Sequence, residues 1–183
     1  SAAEIGEALR PVLRMASKIV LVDPYFDANE QRYRDSLVAL VGQALRMPRS
    51  VAADPEIVIV TGVDQMHKER EGEFTGEQIA RVAANLRANA ERQLPRCLPA
   101  GCRVQLVVLK NRLGADPMHN RFVLTDVGGV IVPYGLDDYT RAEAHTVRDD
   151  LQPMHRGIYD ERWQQYAELR GVDIVLGPIA IAM

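Results

Sequence analysis

The sequence predicts a single domain of the α/β class, a layered sheet with flanking helices whose early strands are parallel. Short runs of β-branched and aliphatic residues, typical of buried strands, alternate along the chain with stretches in which apolar residues recur every 3.6 positions. The length of 183 residues is that of one ordinary domain, and 47% hydrophobic with 26% charged residues is typical of a globular protein. We therefore treat residues 1–183 as one domain.

The first half of the chain carries the alternation of strands and helices. A strand is predicted over residues 18–23, where Asp-Pro ends the apolar run, and a helix over residues 30–46. A second buried strand follows at residues 57–62, a second helix at residues 77–92 and a third strand at residues 104–109. Strands connected through helices pair in parallel, so these three strands are expected to run in the same direction.

The second half of the chain predicts a hairpin and a final helix. Two strands at residues 121–125 and 130–133 are joined by a tight turn at residues 126–129, where two glycines make the backbone angles accessible. The helix is predicted near residues 160–169. No strand is predicted after the hairpin.

The amino-terminal stretch has mixed helix signals and no targeting signal. Apolar residues at helical spacing favour a helix before Ser17, but Pro11 fits a helix without cost only near its first turn. The same stretch lacks the basic and apolar regions of a secretion signal, and no apolar run reaches the roughly 20 residues of a membrane-spanning helix. These features predict a cytoplasmic protein without a transmembrane segment.

Charge is distributed unevenly along the chain. The formal net charge of −3 excludes a bulk attraction for nucleic acid or anionic lipid. Between Arg81 and Arg121, however, eight Lys or Arg residues stand against two acids, and between Asp137 and Glu161 seven acids stand against three Arg. These segments are either two solvated surfaces that complement each other or a basic rim around a phosphate site.

Residues 116–126 are the stretch most suited to chemistry. His119 precedes a predicted strand, and Arg121 lies two residues later, on the same side, because side chains alternate along a strand. A neutral imidazole is a good nucleophile toward phosphorus, and a guanidinium neutralises the non-bridging oxygens. Asp126 closes the strand as a possible anchor for either group. The alternative is an ordinary pair of surface side chains.

The spacing His119-x-Arg121-x4-Asp126 resembles the H-x-K-x4-D signature of the phospholipase D superfamily, with arginine in place of lysine. The wider pattern resembles the phospholipase D-like domain found at the C-terminus of MIT-domain proteins and in related bacterial proteins. Its matches extend from residue 18 to about residue 166. They are Val22-Asp23-Pro24-Tyr25, His119-Asn120-Arg121-Phe122, Thr125-Asp126-x-Gly128-Gly129 and Gly135-Leu136-Asp137.

The resemblance implies a phospholipase D-like layered sheet and a phosphodiester ligand. It assigns catalysis to three residues: His119 is the nucleophile, Arg121 the phosphate clamp and Asp126 the positioning group. The superfamily's chemistry uses two histidines, one that attacks phosphorus and one that protonates the leaving oxygen, so a single motif implies a homodimer. Expected substrate-binding residues are Asp23, Tyr25, Asn120, Asp137 and His145, with His145 as a reserve proton donor.

Two departures from the superfamily pattern favour binding over turnover. Arg121 replaces the motif lysine, which keeps the charge but changes the donor geometry. Active members continue with Gly-Ser-x-Asn, whereas the corresponding stretch here is Gly135-Leu136-Asp137-Asp138. The intact His119 and Asp126, in contrast, favour catalysis. The leading hypothesis is a domain that recognises a phosphodiester group, with nucleic acid as the favoured substrate, and that acts as a metal-independent phosphodiesterase if it is catalytic. The alternative is a non-catalytic module that binds phosphoinositide headgroups, nucleic acid or a protein partner.

Metal and cofactor sites are not predicted. A two-metal carboxylate site would need the aspartates near residues 137 and 149, but adjacent aspartates more often belong to a solvated acidic surface. Cys97 and Cys102 form a single C-x4-C pair, a weak zinc pattern, and are expected to be unpaired thiols. Neither glycine-rich nucleotide-binding motif occurs in the sequence.

Overall fold

The computed structural model describes residues 2–46, 53–63, 75–110, 121–132 and 151–183. These residues form four helices and seven strands. In chain order they are α1 (Ala2–Met15), β1 (Lys18–Val22), α2 (Gln31–Leu45), β2 (Glu56–Gly62), α3 (Gly76–Cys97), β3 (Arg103–Lys110), β4 (Arg121–Thr125), β5 (Gly128–Val132), β6 (Gln152–Pro153), α4 (Arg156–Tyr166) and β7 (Asp173–Ile181).

The described strands form one mixed sheet in the order β6-β5-β4-β1-β2-β3-β7. β1 pairs in parallel with β2, and β2 with β3, as the intervening helices predict. The other neighbours are antiparallel: β4 lies beside β1, β5 beside β4, β6 beside β5 and β7 beside β3. The predicted α/β class and the parallel direction of the early strands are confirmed.

Two hydrophobic cores cover the two faces of the sheet. The larger core joins one face of the sheet to the apolar stripes of α1, α2 and α3, among them Leu13, Leu37 and Leu94. The smaller core lies on the other face, where Tyr166 of α4 packs against β-strand side chains that include Phe122. Alternation along each strand assigns successive residues to opposite cores, so Phe122 and Val123 of β4 belong to different ones.

Several elements differ from the predicted ones. β5 begins at residue 128 and not at residue 130, α4 spans Arg156–Tyr166 and not residues 160–169, and the two-residue strand β6 was not predicted. α1 and α3 continue through Pro11 and Pro95, both of which were read as limits to a helix. An interior proline costs a helix roughly 3 kcal/mol, but both prolines are exposed here while residues beyond them are buried in the core. β7 was not predicted because Gly177-Pro178 interrupts its apolar run.

One edge of the sheet collects polar residues from strands that run in opposite directions. β1, β2 and β3 end at this edge, and β4 begins there because it runs antiparallel to β1. The last paired residues are Val22 of β1 and Phe122 of β4, which places the next residues, Asp23 and Arg121, opposite each other. Ligands of α/β sheets gather at this carboxyl edge of the parallel strands.

Candidate anion-binding site

An ion pair between Asp23 and Arg121 forms the centre of the candidate site. Nε of Arg121 lies 3.4 Å from Oδ1 of Asp23. The Asp23 side chain is 2% exposed and that of Arg121 is 15% exposed, so the carboxylate lies inside the protein and the guanidinium only partly reaches solvent. Because a guanidinium has five N–H donors and Nε carries only one, a contact through Nε leaves the terminal nitrogens as further donors.

A tight turn after β1 orients the Asp23 carboxylate. Oδ1 of Asp23 accepts a hydrogen bond from the backbone N–H of Tyr25 at 2.9 Å, and the Asp23 carbonyl accepts one from the N–H of Phe26 at 3.1 Å. The fixed backbone angle of Pro24 suits such a turn. The same turn places the Tyr25 ring beside Arg121, with the guanidinium carbon 5.2 Å from the ring centroid. That distance is typical of a cation–π contact.

The end of β2 holds this turn in place. The Thr61 side chain is fully buried, and its hydroxyl donates a hydrogen bond to the Phe26 carbonyl at 2.9 Å. The backbone N–H of Gly62 donates to the Pro24 carbonyl at 3.3 Å. Thr61 was not predicted as a site residue, although a polar residue at the end of the apolar run 57–60 is a signal that could have found it.

Asp126 lies at the opposite end of β4 from Arg121, which corrects its predicted role. Asp126 follows Arg121 by five positions, which is roughly 17 Å at the usual rise per residue. Oδ1 of Asp126 accepts the backbone N–H groups of Ser17 at 2.9 Å and Lys18 at 3.3 Å, and its Oδ2 accepts the Ser17 hydroxyl. These contacts anchor the start of β1. Asp126 does not position Arg121.

Hydrogen bonding lowers the pKa of Asp126. Partial burial alone would raise the pKa of this carboxyl, but the bonds from the Ser17 hydroxyl and from the backbone N–H groups of Lys18 and Ser17 favour the ionised form and together outweigh burial. The net direction is below the ordinary value of 3.8. Asp126 therefore contributes to stability as a charged anchor.

Four predicted site residues lie outside the described residues: His119, Asn120, Asp137 and His145. The structure thus brings together Asp23, Tyr25 and Arg121 of the predicted set and separates Asp126 from them. Sequence analysis also did not foresee the environment on the other side of β4. There the guanidinium carbon of Arg162, from α4, lies 5.7 Å from the centroid of the Phe122 ring.

The two cysteines are free thiols in the structure. Partial burial raises the pKa of both, and the charge of Asp54 adds to this effect at Cys102. Among the described residues, no group of three or more His, Cys, Asp or Glu side chains is arranged to hold a metal ion. Within the same residues no helix is long and apolar enough to cross a membrane.

No protein-family model matches this chain, and no curated protein is significantly similar to it. The resemblance to the phospholipase D superfamily therefore rests on its short motifs. The described geometry adds a separate argument from chemistry, because it shows a guanidinium fixed at the edge of the sheet by a carboxylate and an aromatic ring.

Proposed function

We propose that this chain is a phospholipase D-like domain that recognises a phosphodiester group, in nucleic acid rather than in bulk phospholipid, and cleaves it through His119. The observation that supports the proposal most directly is the position of Arg121 beside Asp23 at the carboxyl edge of β1. A guanidinium held in one orientation is suited to binding the oxygens of a phosphate. His119 precedes Arg121 by two residues in the sequence.

The proposed reaction has two steps and needs two histidines. In the first, an imidazole nitrogen of His119 attacks phosphorus, an N–P bond forms, and the P–O bond to the leaving group breaks. A second imidazole gives its proton to the departing oxygen. In the second step a water, deprotonated by that second imidazole, attacks phosphorus and breaks the N–P bond. Arg121 neutralises charge on the non-bridging oxygens throughout.

The second histidine is proposed to come from another copy of the chain. One motif per chain and a mechanism with two imidazoles imply a twofold dimer in which His119 of each copy faces a shared cleft. Measurement of the solution mass tests this, because a dimer has twice the mass of the 20.4 kDa chain. A stable monomer that still cleaves phosphodiesters would contradict the shared site.

A second candidate function is a non-catalytic module that binds phosphoinositide headgroups, nucleic acid or a protein partner. The ion pair itself favours this candidate, because Asp23 neutralises part of the charge on Arg121 and fixes its orientation. A fixed, partly neutralised arginine serves recognition of an anion, while the motif lysine it replaces is a compact point charge on a flexible stem.

Cleavage assays distinguish the two candidates. Single- and double-stranded DNA, RNA and a simple phosphodiester are incubated with the protein, with and without a chelator. Cleavage that persists in chelator and disappears in His119→Ala supports the proposed enzyme. His155→Ala is the matched control, since this exposed histidine at the start of α4 lies outside the motif.

Other outcomes of the same assay point elsewhere. Cleavage that the chelator abolishes would indicate a metal site built on aspartates and would contradict the histidine mechanism. Unchanged cleavage by His119→Ala would remove the nucleophile assignment. Binding without cleavage, weakened by salt and by Arg121→Ala, would select the non-catalytic module.

A further inference from the structure

We propose that Thr61 is a positioning residue for the anion site, acting on Arg121 through the turn that carries Asp23 and Tyr25. The inference rests on the proposed function for its effect on binding. Its structural basis is a set of contacts among described residues at the ends of β1 and β2.

The turn after β1 carries both groups that contact the Arg121 guanidinium. Residues 23–26 present two groups to Arg121: the Asp23 carboxylate at 3.4 Å from Nε, and the Tyr25 ring at 5.2 Å from the guanidinium carbon. Both groups are fixed by the same short piece of backbone, since Asp23 accepts the N–H of Tyr25. A change in this backbone would therefore move both partners of the guanidinium together.

The Thr61 hydroxyl holds this turn against the sheet. Thr61 follows Val60, the last β2 residue paired with β1, and so lies beside Asp23. Its hydroxyl donates to the Phe26 carbonyl at 2.9 Å, and the Pro24 carbonyl lies 3.5 Å from the same hydroxyl. Phe26 is itself buried, with its ring centroid 5.6 Å from that of Tyr33 in α2. Because Thr61 is fully buried, water cannot replace its hydroxyl bond without repacking.

A buried threonine at the end of β2 needs its hydroxyl bond, because burying a polar group is costly unless the group is hydrogen-bonded. The preceding alternate residues of β2 on this face, Ile57 and Ile59, are aliphatic and buried. Valine is β-branched like threonine, so packing alone would be served by valine. The hydroxyl supplies the one thing valine lacks, a donor for the carbonyl of the turn.

Thr125 provides a matched control within the same sheet. It is also fully buried, and its hydroxyl donates to the carbonyl of Gly128, the first residue of β5, at 2.8 Å. The same hydroxyl accepts the backbone N–H groups of Val127 at 3.3 Å and Gly128 at 3.2 Å. It lies at the other end of β4 from Arg121, roughly 14 Å away by strand length. Thr125→Val thus removes at least as many hydrogen bonds as Thr61→Val, at the opposite edge of the sheet.

The test measures two readouts on the full chain. The first is the affinity for a fluorescent single-stranded oligonucleotide. We expect Thr61→Val to weaken it about tenfold, the equivalent of one hydrogen bond, while Thr61→Ser restores it and Thr125→Val changes it less than about twofold. The second is the Nε–Hε NMR signal of Arg121, assigned by its loss in Arg121→Lys. Thr61→Val should shift this signal, and Thr125→Val should not.

The outcomes separate this inference from the proposed function. If the wild-type chain binds no oligonucleotide, the proposed function fails, and the Arg121 signal alone decides the role of Thr61. An unshifted Arg121 signal in Thr61→Val overturns the inference, as does an equal effect of Thr125→Val on either readout. Should Thr61→Val not fold, Thr61→Ala, which leaves room for a water at the hydroxyl position, is measured with the same expected shift.

Discussion

Replacing Arg121 by methionine tests how much the ion pair between Arg121 and Asp23 contributes to the stability of the fold. Methionine keeps much of the apolar stem of arginine and removes the charge. The Asp23 side chain is 2% exposed, so its carboxylate cannot be rehydrated when the cation is removed. We expect Arg121→Met to destabilise the fold, although substitutions of surface arginines usually change stability little.

The size of the effect follows from burial. Removing one member of a buried ion pair typically costs about 3–5 kcal/mol. Asp23 keeps the hydrogen bond from Tyr25 at 2.9 Å, and Arg121 is 15% exposed, so we expect a smaller loss of about 2–3 kcal/mol. Asp23→Asn added to Arg121→Met removes the buried charge. The double variant should therefore lose less than the sum of the single variants, with a coupling of about 1–2 kcal/mol.

Urea unfolding followed by circular dichroism measures the four proteins of this cycle at neutral pH. Arg156→Met is the control, because Arg156 is 88% exposed and its ion pair with Asp160, one helical turn away at 3.2 Å, is an exposed one. Exposed ion pairs of this kind contribute little to the free energy of unfolding. The urea midpoint of Arg156→Met should therefore match that of the wild type. Additive single effects at Asp23 and Arg121, or an Arg121→Met midpoint equal to the control, would refute the argument from burial.

Two further predictions concern other parts of the sheet. Asp126→Asn should lower the free energy of unfolding by about 1 kcal/mol at neutral pH, since an exposed carboxylate gains less from its hydrogen bonds with Ser17 than a buried one. Because the pKa of Asp126 is lowered in the folded state, its contribution to the free energy of unfolding is complete above pH 3.8 and disappears as the pH falls through the folded-state pKa. The urea midpoints of the variant and the wild type should therefore converge in acid. A difference that stays constant with pH would contradict this. Gly177→Ala should prevent normal pairing of β7, because φ is +104° and a Cβ would lie 2.4 Å from the Leu106 carbonyl oxygen, whereas Gly128→Ala meets no atom within 4 Å; equal melting temperatures of the two variants would argue against this packing.

The sequence predicted the strands that are continuous apolar runs and missed β6, which has only two residues, and β7, which is interrupted. β4 was predicted with its observed bounds, Arg121–Thr125, and β1 to within one residue. β7 was missed because Gly177 and Pro178 divide it into two short apolar pieces. Only its pairing with β3, which is irregular near Val108, shows that both pieces belong to one strand.

The candidate site was predictable where it depends on strand ends and not where it depends on contacts between distant residues. Asp23 was placed correctly at the carboxyl end of β1 from the local sequence. Its pairing with Arg121 depends on β4 running antiparallel to β1, which no local pattern determines. The sequence placed Asp126 correctly at the end of β4, but its contacts there with Ser17 and Lys18 depend on the pairing of β4 with β1, which the motif spacing does not indicate.

The contacts at the two ends of β4 have a consequence for strand register. Asp126 contacts Ser17 and Lys18 at one end of the ladder with β1, and Arg121 contacts Asp23 at the other. A slip of β4 by one residue would break both polar contacts at once and turn its buried side chains to the wrong faces. The four residues between Arg121 and Asp126 are thus the span that matches both ends of β1. Deletion or insertion of a single residue inside β4 would leave one of these two polar contacts without its partner. The number of residues between Arg121 and Asp126 therefore matches the number of residue pairs between β4 and β1.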